Sequence, residues 1–224
     1  MNITELVQAV YTETNRPDLV QETLQAVLEA TLSLHTMDSW FKDIIEARVA
    51  FDDPTLYIQA LDTYALPRYR NMAYVRKNDP VLTQWEQTSG ILPQQYRWPP
   101  GQFNFLVRKD ISVVLDAYGY ELNDIWYKSG NQINMKSSTP LKYAMVGWYA
   151  FPDLQPATFN SWIANEFPYA IIYRAAGGLY SKIDQDKAAM MYMKPPVPGH
   201  GYDTGGLAWQ QYGILMRNNI VAGG

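Results

Sequence analysis

The spacing of apolar residues changes twice along the chain, and it predicts helices at both ends with strands between them. In residues 2–11 and 17–36, apolar side chains recur every three or four positions, which is the period of an amphipathic helix. Asn2 and Glu5 stand three positions apart, as in a capping box. Pro17 suits the first turn of the second helix. We therefore expect two helices at the start of the chain.

The middle of the chain is rich in β-branched and aromatic residues, which favour strands. Extended segments are expected over residues 38–51, 54–61, 111–115, 124–128, 132–136 and 142–151. The tripeptide Ser129-Gly130-Asn131 separates two of them and is typical of a hairpin turn. Residues 81–104 mix proline, glycine and aromatic residues, and they predict a long loop with aromatic anchors.

The helical period returns in the last third of the chain. One long helix is expected over Ser161 to Ile183, and a shorter one after Asp184, which is its expected cap. A proline- and glycine-rich break, residues 195–206, precedes a last predicted helix over Leu207 to Asn219. A short tail follows it.

This order of helices, strands and helices predicts an α+β fold rather than alternating βαβ units. We expect the N- and C-terminal helices to pack together as a helical bundle. That bundle would be a helical layer of residues 1–47 plus 157–224. Residues 48–156 would form a β-rich insertion in the middle of the chain, and the whole would be one continuous structural unit.

Composition narrows the classes of function. The 224 residues contain no cysteine, which excludes disulfides, thiolate nucleophiles and zinc–sulfur sites. Net charge is −4, and no stretch is basic enough to grip nucleic-acid phosphates. The longest apolar run is far shorter than a membrane span of about 20 residues, so no membrane partner is expected. Tyrosine (17) and tryptophan (7) are abundant and suit protein interfaces.

A few residues invite a chemical interpretation. Asp203-Thr204-Gly205 matches the aspartic-protease tripeptide, but a role for Asp203 or Thr204 as the cap of the last helix is preferred. His35 and His200 are the only histidines and are expected at the surface. Gly177 and Gly178 are expected to allow close helix packing. We predict no catalytic residue, no cofactor and no metal site.

Four features together resemble the head-to-tail adaptor (connector, or tail accessory) proteins of tailed bacteriophages. They are the opening ELVQAVYTETNRPDLVQETLQAVLEATLSLH, the segment Leu66-Pro67-Arg68-Tyr69-Arg70, the tyrosine-bearing hairpin over residues 124–136, and an aromatic strand followed by a helix. That helix runs from Trp162-Ile163 through Phe167-Pro168-Tyr169-Ala170-Ile171-Ile172-Tyr173. The resemblance touches most of residues 3–182.

The resemblance implies a structural virion protein without enzymatic activity, made in the host cytoplasm and located in the neck between capsid and tail. About twelve copies would form a ring closed by heterologous contacts. The ring would bind the portal protein on one side and a downstream tail or nozzle protein on the other, and double-stranded DNA would pass through its channel without sequence-specific binding.

Two sets of residues are predicted to make these contacts. In this family the C-terminal helix and tail engage the portal, which implies portal binding by Leu207, Trp209, Tyr212, Ile214, Leu215, Met216, Ile220 and Val221. A subunit-interface role is predicted for Arg68, Arg70, Arg76, Trp85 and Trp98. The arginines would pair with acids of a neighbouring subunit rather than with DNA phosphate.

Two other classes of function stay open. A tail-associated carbohydrate-binding module would use the aromatic loop 85–103, with Trp98 stacking on a sugar. A hydrolase would use Asp203 with a second acid.

Overall fold

The computed structural model describes residues 1–77, 105–115, 122–141, 143–183 and 185–218, and these residues form two compact units. The helical unit combines Met1–Asp43 with Phe151–Gly224, and the sheet unit is Ile44–Ala150. Each unit has its own cluster of buried apolar side chains.

The described residues contain seven α-helices and seven strands. The helices are α1 (Ile3–Thr14), α2 (Val20–Met37), α3 (Ile111–Leu115), α4 (Trp162–Glu166), α5 (Pro168–Lys182), α6 (Asp186–Met193) and α7 (Leu207–Asn218). The strands are β1 (Ile44–Ala50), β2 (Ile58–Asp62), β3 (Tyr69–Lys77), β4 (Phe105–Arg108), β5 (Ile125–Ser129), β6 (Gln132–Lys136) and β7 (Tyr143–Ala150).

The fold is α+β, but the predicted arrangement, a helical bundle carrying a β-rich insertion, is wrong. The seven strands form one mixed sheet, a large element with a core of its own. The prediction underestimated the sheet because it missed β3, the longest strand. Breaks in the pairing of β3 with β7, between Tyr69 and Asn71 and between Met72 and Tyr74, disturb the alternation by which a strand is recognised.

The sheet has the strand order β1-β7-β3-β4-β5-β6-β2. All neighbouring strands are antiparallel except β4 and β5, which are parallel. Val75, Ile133, Met135 and Val146 are completely buried in the core of this unit. The Trp148 indole is buried as well, and its Nε1–H donates to the Pro67 carbonyl at 3.0 Å.

Helix α5 is the centre of the helical unit, because α1, α2, α6 and α7 all pack against it. Its Ile171 and Leu179 have no exposed surface, and neither do Leu34 of α2 and Leu215 of α7. Gly177 explains the close approach of α6. A Cβ at this position would overlap Met193 and would lie 2.9 Å from Tyr192 Cβ. The prediction that glycine allows close packing is confirmed for Gly177, whereas Gly178 has nothing within 4 Å.

Of the predictions made for the helix ends, one is confirmed and one is wrong. The capping box of Asn2 and Glu5 is confirmed, with both reciprocal hydrogen bonds at 2.9 Å. The single helix over 161–183 is wrong, because the chain breaks at Phe167 and restarts with Pro168 in the first turn. Asp184, the expected cap of α6, lies outside the described residues.

The middle of the chain likewise holds one confirmed and one wrong prediction. The hairpin is confirmed, and Gly130 in its turn has φ 56°. The predicted strand 111–115 is wrong: it is helix α3, because the Asp110 carboxylate and carbonyl accept hydrogen bonds from its first turn. The predicted loop 81–104 lies outside the described residues. None of the helices in the described part of the chain is long and apolar enough to span a bilayer.

Candidate functional site

A buried serine, histidine and aspartate form a continuous hydrogen-bonded chain in the helical unit. His35 Nδ1 lies 2.7 Å from Asp43 Oδ1, and His35 Nε2 lies 2.9 Å from Ser161 Oγ. The Trp162 indole N–H donates to the same Asp43 oxygen at 2.8 Å. We call these four residues the His35 network.

Three separate segments supply the His35 network. His35 lies in the last turn of α2, on the same helix face as the buried Thr31. Asp43 ends the short 3-10 helix that follows α2. Ser161 is the N-cap of α4, and its Oγ accepts the Ala164 N–H at 3.2 Å. The network therefore ties the end of α2 to the start of α4.

The direction of the hydrogen bonds depends on the protonation of the His35 ring. An ionised carboxylate only accepts hydrogen bonds, so the proton between His35 and Asp43 belongs to His35 Nδ1. In a neutral ring Nε2 is an acceptor for the Ser161 hydroxyl, whereas in a doubly protonated ring Nε2–H donates to Ser161 Oγ. In both cases Ser161 Oγ accepts the Ala164 N–H.

This is the order of groups that activates serine in hydrolases, where aspartate orients histidine and histidine takes the serine proton. Burial decides against that role here. Ser161 is 3% exposed and His35 is 2% exposed, so a substrate carbonyl has no approach to Ser161 Oγ. The His35 ring also meets the Trp162 ring edge-on, with centroids 5.9 Å apart. The geometry is that of a structural hydrogen-bond network that joins helices inside the core.

The prediction of a surface position is wrong for His35 and confirmed for His200, which is exposed. The sequence did contain a signal. His35 follows Val27 and Thr31 at intervals of eight and four residues, and both are buried on α2. A histidine on the apolar stripe of a helix needs hydrogen-bond partners in the core.

The predicted portal-binding residues of α7 divide between its buried face and its partly exposed face. Tyr212 and Leu215 are buried in the helical core. Partial exposure is found for Leu207, Trp209, Ile214 and Met216. The remaining two, Ile220 and Val221, lie outside the described residues.

The arginines predicted at the subunit interface have different surroundings. Arg76 lies 3.7 Å from Glu46 and its guanidinium carbon is 4.4 Å from the Tyr74 ring centre. Arg70 stands 5.4 Å from the ring centre of Tyr149. Arg68 is exposed and has φ 53°, a left-handed conformation that is costly for a residue other than glycine. The predicted partners Trp85 and Trp98 lie outside the described residues.

A second polar cluster lies in the sheet unit around Asp124, which has φ 56°. Its carboxylate accepts hydrogen bonds from Lys77 Nζ at 2.7 Å and from the Ser138 backbone N–H at 2.9 Å. Burial alone would raise the pKa of Asp124, but these bonds, with that of the Ser138 hydroxyl, lower the pKa to about 2. The cluster ties the end of β3 to the segment between β6 and β7.

The protease-like tripeptide shows no active-site geometry. Asp203 is exposed on a short 3-10 helix, 3.4 Å from Arg217. The preferred role as cap of the last helix is wrong for both candidates, because α7 begins at Leu207. Instead, Thr204 Oγ1 accepts the Val197 N–H at 2.9 Å within the preceding loop. Nowhere in the described ranges do three or more His, Cys, Asp or Glu residues come together to hold a metal ion.

Large apolar side chains are exposed on both units, several of them in runs. Leu56, Tyr57 and Ile58 lead into β2, while Phe105 and Val107 alternate on β4. Other exposed residues are Phe41, Tyr64, Tyr169, Met190 and Met191. Runs of this kind mark interaction surfaces more often than single exposed residues do.

No protein-family model matches the chain, and a search of curated proteins finds no significant match either.

Proposed function

We propose that the protein is a structural subunit of the joint between capsid and tail of a bacteriophage, where copies form a ring that binds the portal protein and a tail protein. The exposed apolar runs of both units carry this proposal. Leu56, Tyr57 and Ile58 are 47%, 53% and 56% exposed, although each could bury a large area. An association surface accounts for such residues, because they become buried when copies meet.

The polar groups support an associative role rather than a chemical one. The Ser161 hydroxyl and both ring nitrogens of His35 are engaged in hydrogen bonds with each other, with Asp43 and with the Ala164 N–H, all inside the core. Arg68 keeps an exposed cation on a strained backbone, and strained residues concentrate at functional sites. Contact with an acid of a neighbouring copy would give this exposed cation a partner.

The charge of the chain is compatible with a DNA channel. A net charge of −4 without a basic stripe lets DNA slide past a protein wall, since like charges resist binding. This accords with passage of DNA without sequence-specific contacts.

Mixing the purified protein with its portal protein tests the proposal. We expect mass photometry to show a complex of many copies, and negative-stain electron microscopy to show a ring attached to the portal. A protein that stays separate from the portal at every salt concentration would contradict the proposal.

A matched pair of substitutions tests the surface that carries the proposal. Ile58→Thr removes exposed apolar area from β2 with a residue that suits strands. We expect it to weaken ring formation at least several-fold. Gln132→Thr, at an exposed polar position of the neighbouring β6, is the control and should form rings like the wild type.

A further inference from the structure

Arg174 is a partly buried cation without an ion pair in the described chain. It lies on α5, and its Nη2 donates to Ser33 Oγ of α2 at 2.8 Å. Two more exposed cations of the helical unit do form ion pairs: Lys42 with Glu166, and Lys182 with Glu29. Arg174 therefore differs from them in being both less exposed and uncompensated.

This placement has an energetic cost. Burial lowers the pKa of the Arg174 guanidinium, because the charged form loses water. The charge of an ionised Tyr212 would oppose this lowering of the Arg174 pKa, but burial raises the pKa of that phenol to about 12. Tyr212 is therefore neutral at physiological pH and supplies no negative charge. One hydroxyl does not replace a carboxylate as the partner of a guanidinium.

The guanidinium nevertheless has N–H donors available for a second ligand. Arginine offers five N–H donors in a rigid plane, and Ser33 uses only one side of it. Nε and Nη1 of Arg174 form no hydrogen bond within the described chain. Neither atom is fully buried, so both remain accessible to solvent. The bond to Ser33 restrains the side chain, which lowers the entropy lost when a ligand binds.

We propose that Arg174 binds a carboxylate of a second copy of this chain when copies associate, an inference that rests on the proposed ring. A carboxylate matches the planar donors and neutralises the partly buried charge. The helical unit itself supplies complementary groups. Glu22 at the start of α2 and Asp186 at the start of α6 are exposed and form no ion pair in the described chain. A head-to-tail contact between copies can join such unlike surfaces.

Arg174→Met tests the proposal, with Lys187→Met as the matched control. Lys187 is an exposed cation on α6, so both variants lose one positive charge. Sedimentation velocity over a range of concentrations measures self-association of each full-length protein. We expect Arg174→Met to weaken self-association at least ten-fold and Lys187→Met to change it less than two-fold. Thermal unfolding of Arg174→Met below the association range should be unchanged or shifted upward, because a costly buried charge is gone.

The outcomes separate this inference from the proposed function. If Arg174→Met associates as strongly as the wild type, the role of Arg174 is overturned and the proposed ring is unaffected. A wild type that joins the portal but never associates with itself would also overturn it. A lowered melting temperature with proportionate loss of association would assign Arg174 to folding alone. Loss of association in Glu22→Gln or Asp186→Asn would support the carboxylate of a second copy.

Discussion

Individual polar residues connect distant segments of the helical unit. In the His35 network, Ser161 serves two partners at once, because it caps α4 and hydrogen-bonds to His35. A single hydroxyl thereby holds together segments that are 126 positions apart. Removing it would leave buried polar groups without partners, which costs more than the bond itself contributes.

Ser161→Ala should therefore lower the free energy of unfolding by about 2 kcal/mol, the sum of a lost cap and an unsatisfied His35 Nε2. Urea denaturation measures the change. Ser181→Ala is the control, because Ser181 is exposed near the end of α5 and should change stability little. Equal effects of the two substitutions would contradict the role given to Ser161.

Asp124 predicts a pH dependence of stability. Its pKa is about 2 in the folded protein, below the value of 3.8 for an unperturbed aspartate. The stabilisation is therefore complete above pH 4 and is lost as the pH falls from about 4 to about 2. Asp124→Asn should tolerate the left-handed backbone while removing this charge. The stability difference between wild type and variant should shrink over that pH range, as urea denaturation at each pH would show; a constant difference would contradict the assignment.

Among the secondary-structure elements, the contact between α5 and α6 gives the sharpest comparison, because two adjacent glycines have different surroundings. Gly177→Ala should destabilise the protein by about 2 kcal/mol, since the new methyl group overlaps α6. Gly178→Ala should stabilise it by up to about 1 kcal/mol, because alanine favours helix and nothing lies nearby. Thermal unfolding of both variants measures the two effects. A shift in the same direction for both would contradict the packing described.

Structural features that depend on neighbouring residues could be predicted from the sequence. Features that depend on partners distant in the chain could not. The capping box of Asn2 and Glu5 is complete within four residues, so it could be recognised directly. The role of His35 depends on Ser161, whose proximity only the fold creates. β3 was missed because its pairing irregularities disturb the strand pattern. Arg174 has a serine and no acid as its partner among the described residues, which no local pattern reveals.

For the whole molecule, the presence of two cores predicts two separately measurable stabilities. Ile133 and Leu179 are fully buried, one in each core. Ile133→Ala should cost about 3 kcal/mol and reduce amide protection mainly within residues 44–150. Leu179→Ala should have its main effect within residues 1–43 and 151–218. Hydrogen exchange with mass spectrometry distinguishes the two patterns, and uniform loss of protection in both variants would show a single cooperative core.

The helical unit is built from two stretches of chain with the whole sheet unit between them. During synthesis, α1 and α2 leave the ribosome long before α5, the helix they pack against. About 130 residues lie between Met37 and Pro168, which takes roughly 6 to 26 seconds of elongation. For that time the apolar faces of the first two helices lack their native cover, and nascent chains of neighbouring ribosomes are at hand. Chaperone demand during translation should therefore be highest before residue 168 is made, and it should fall once α5 emerges.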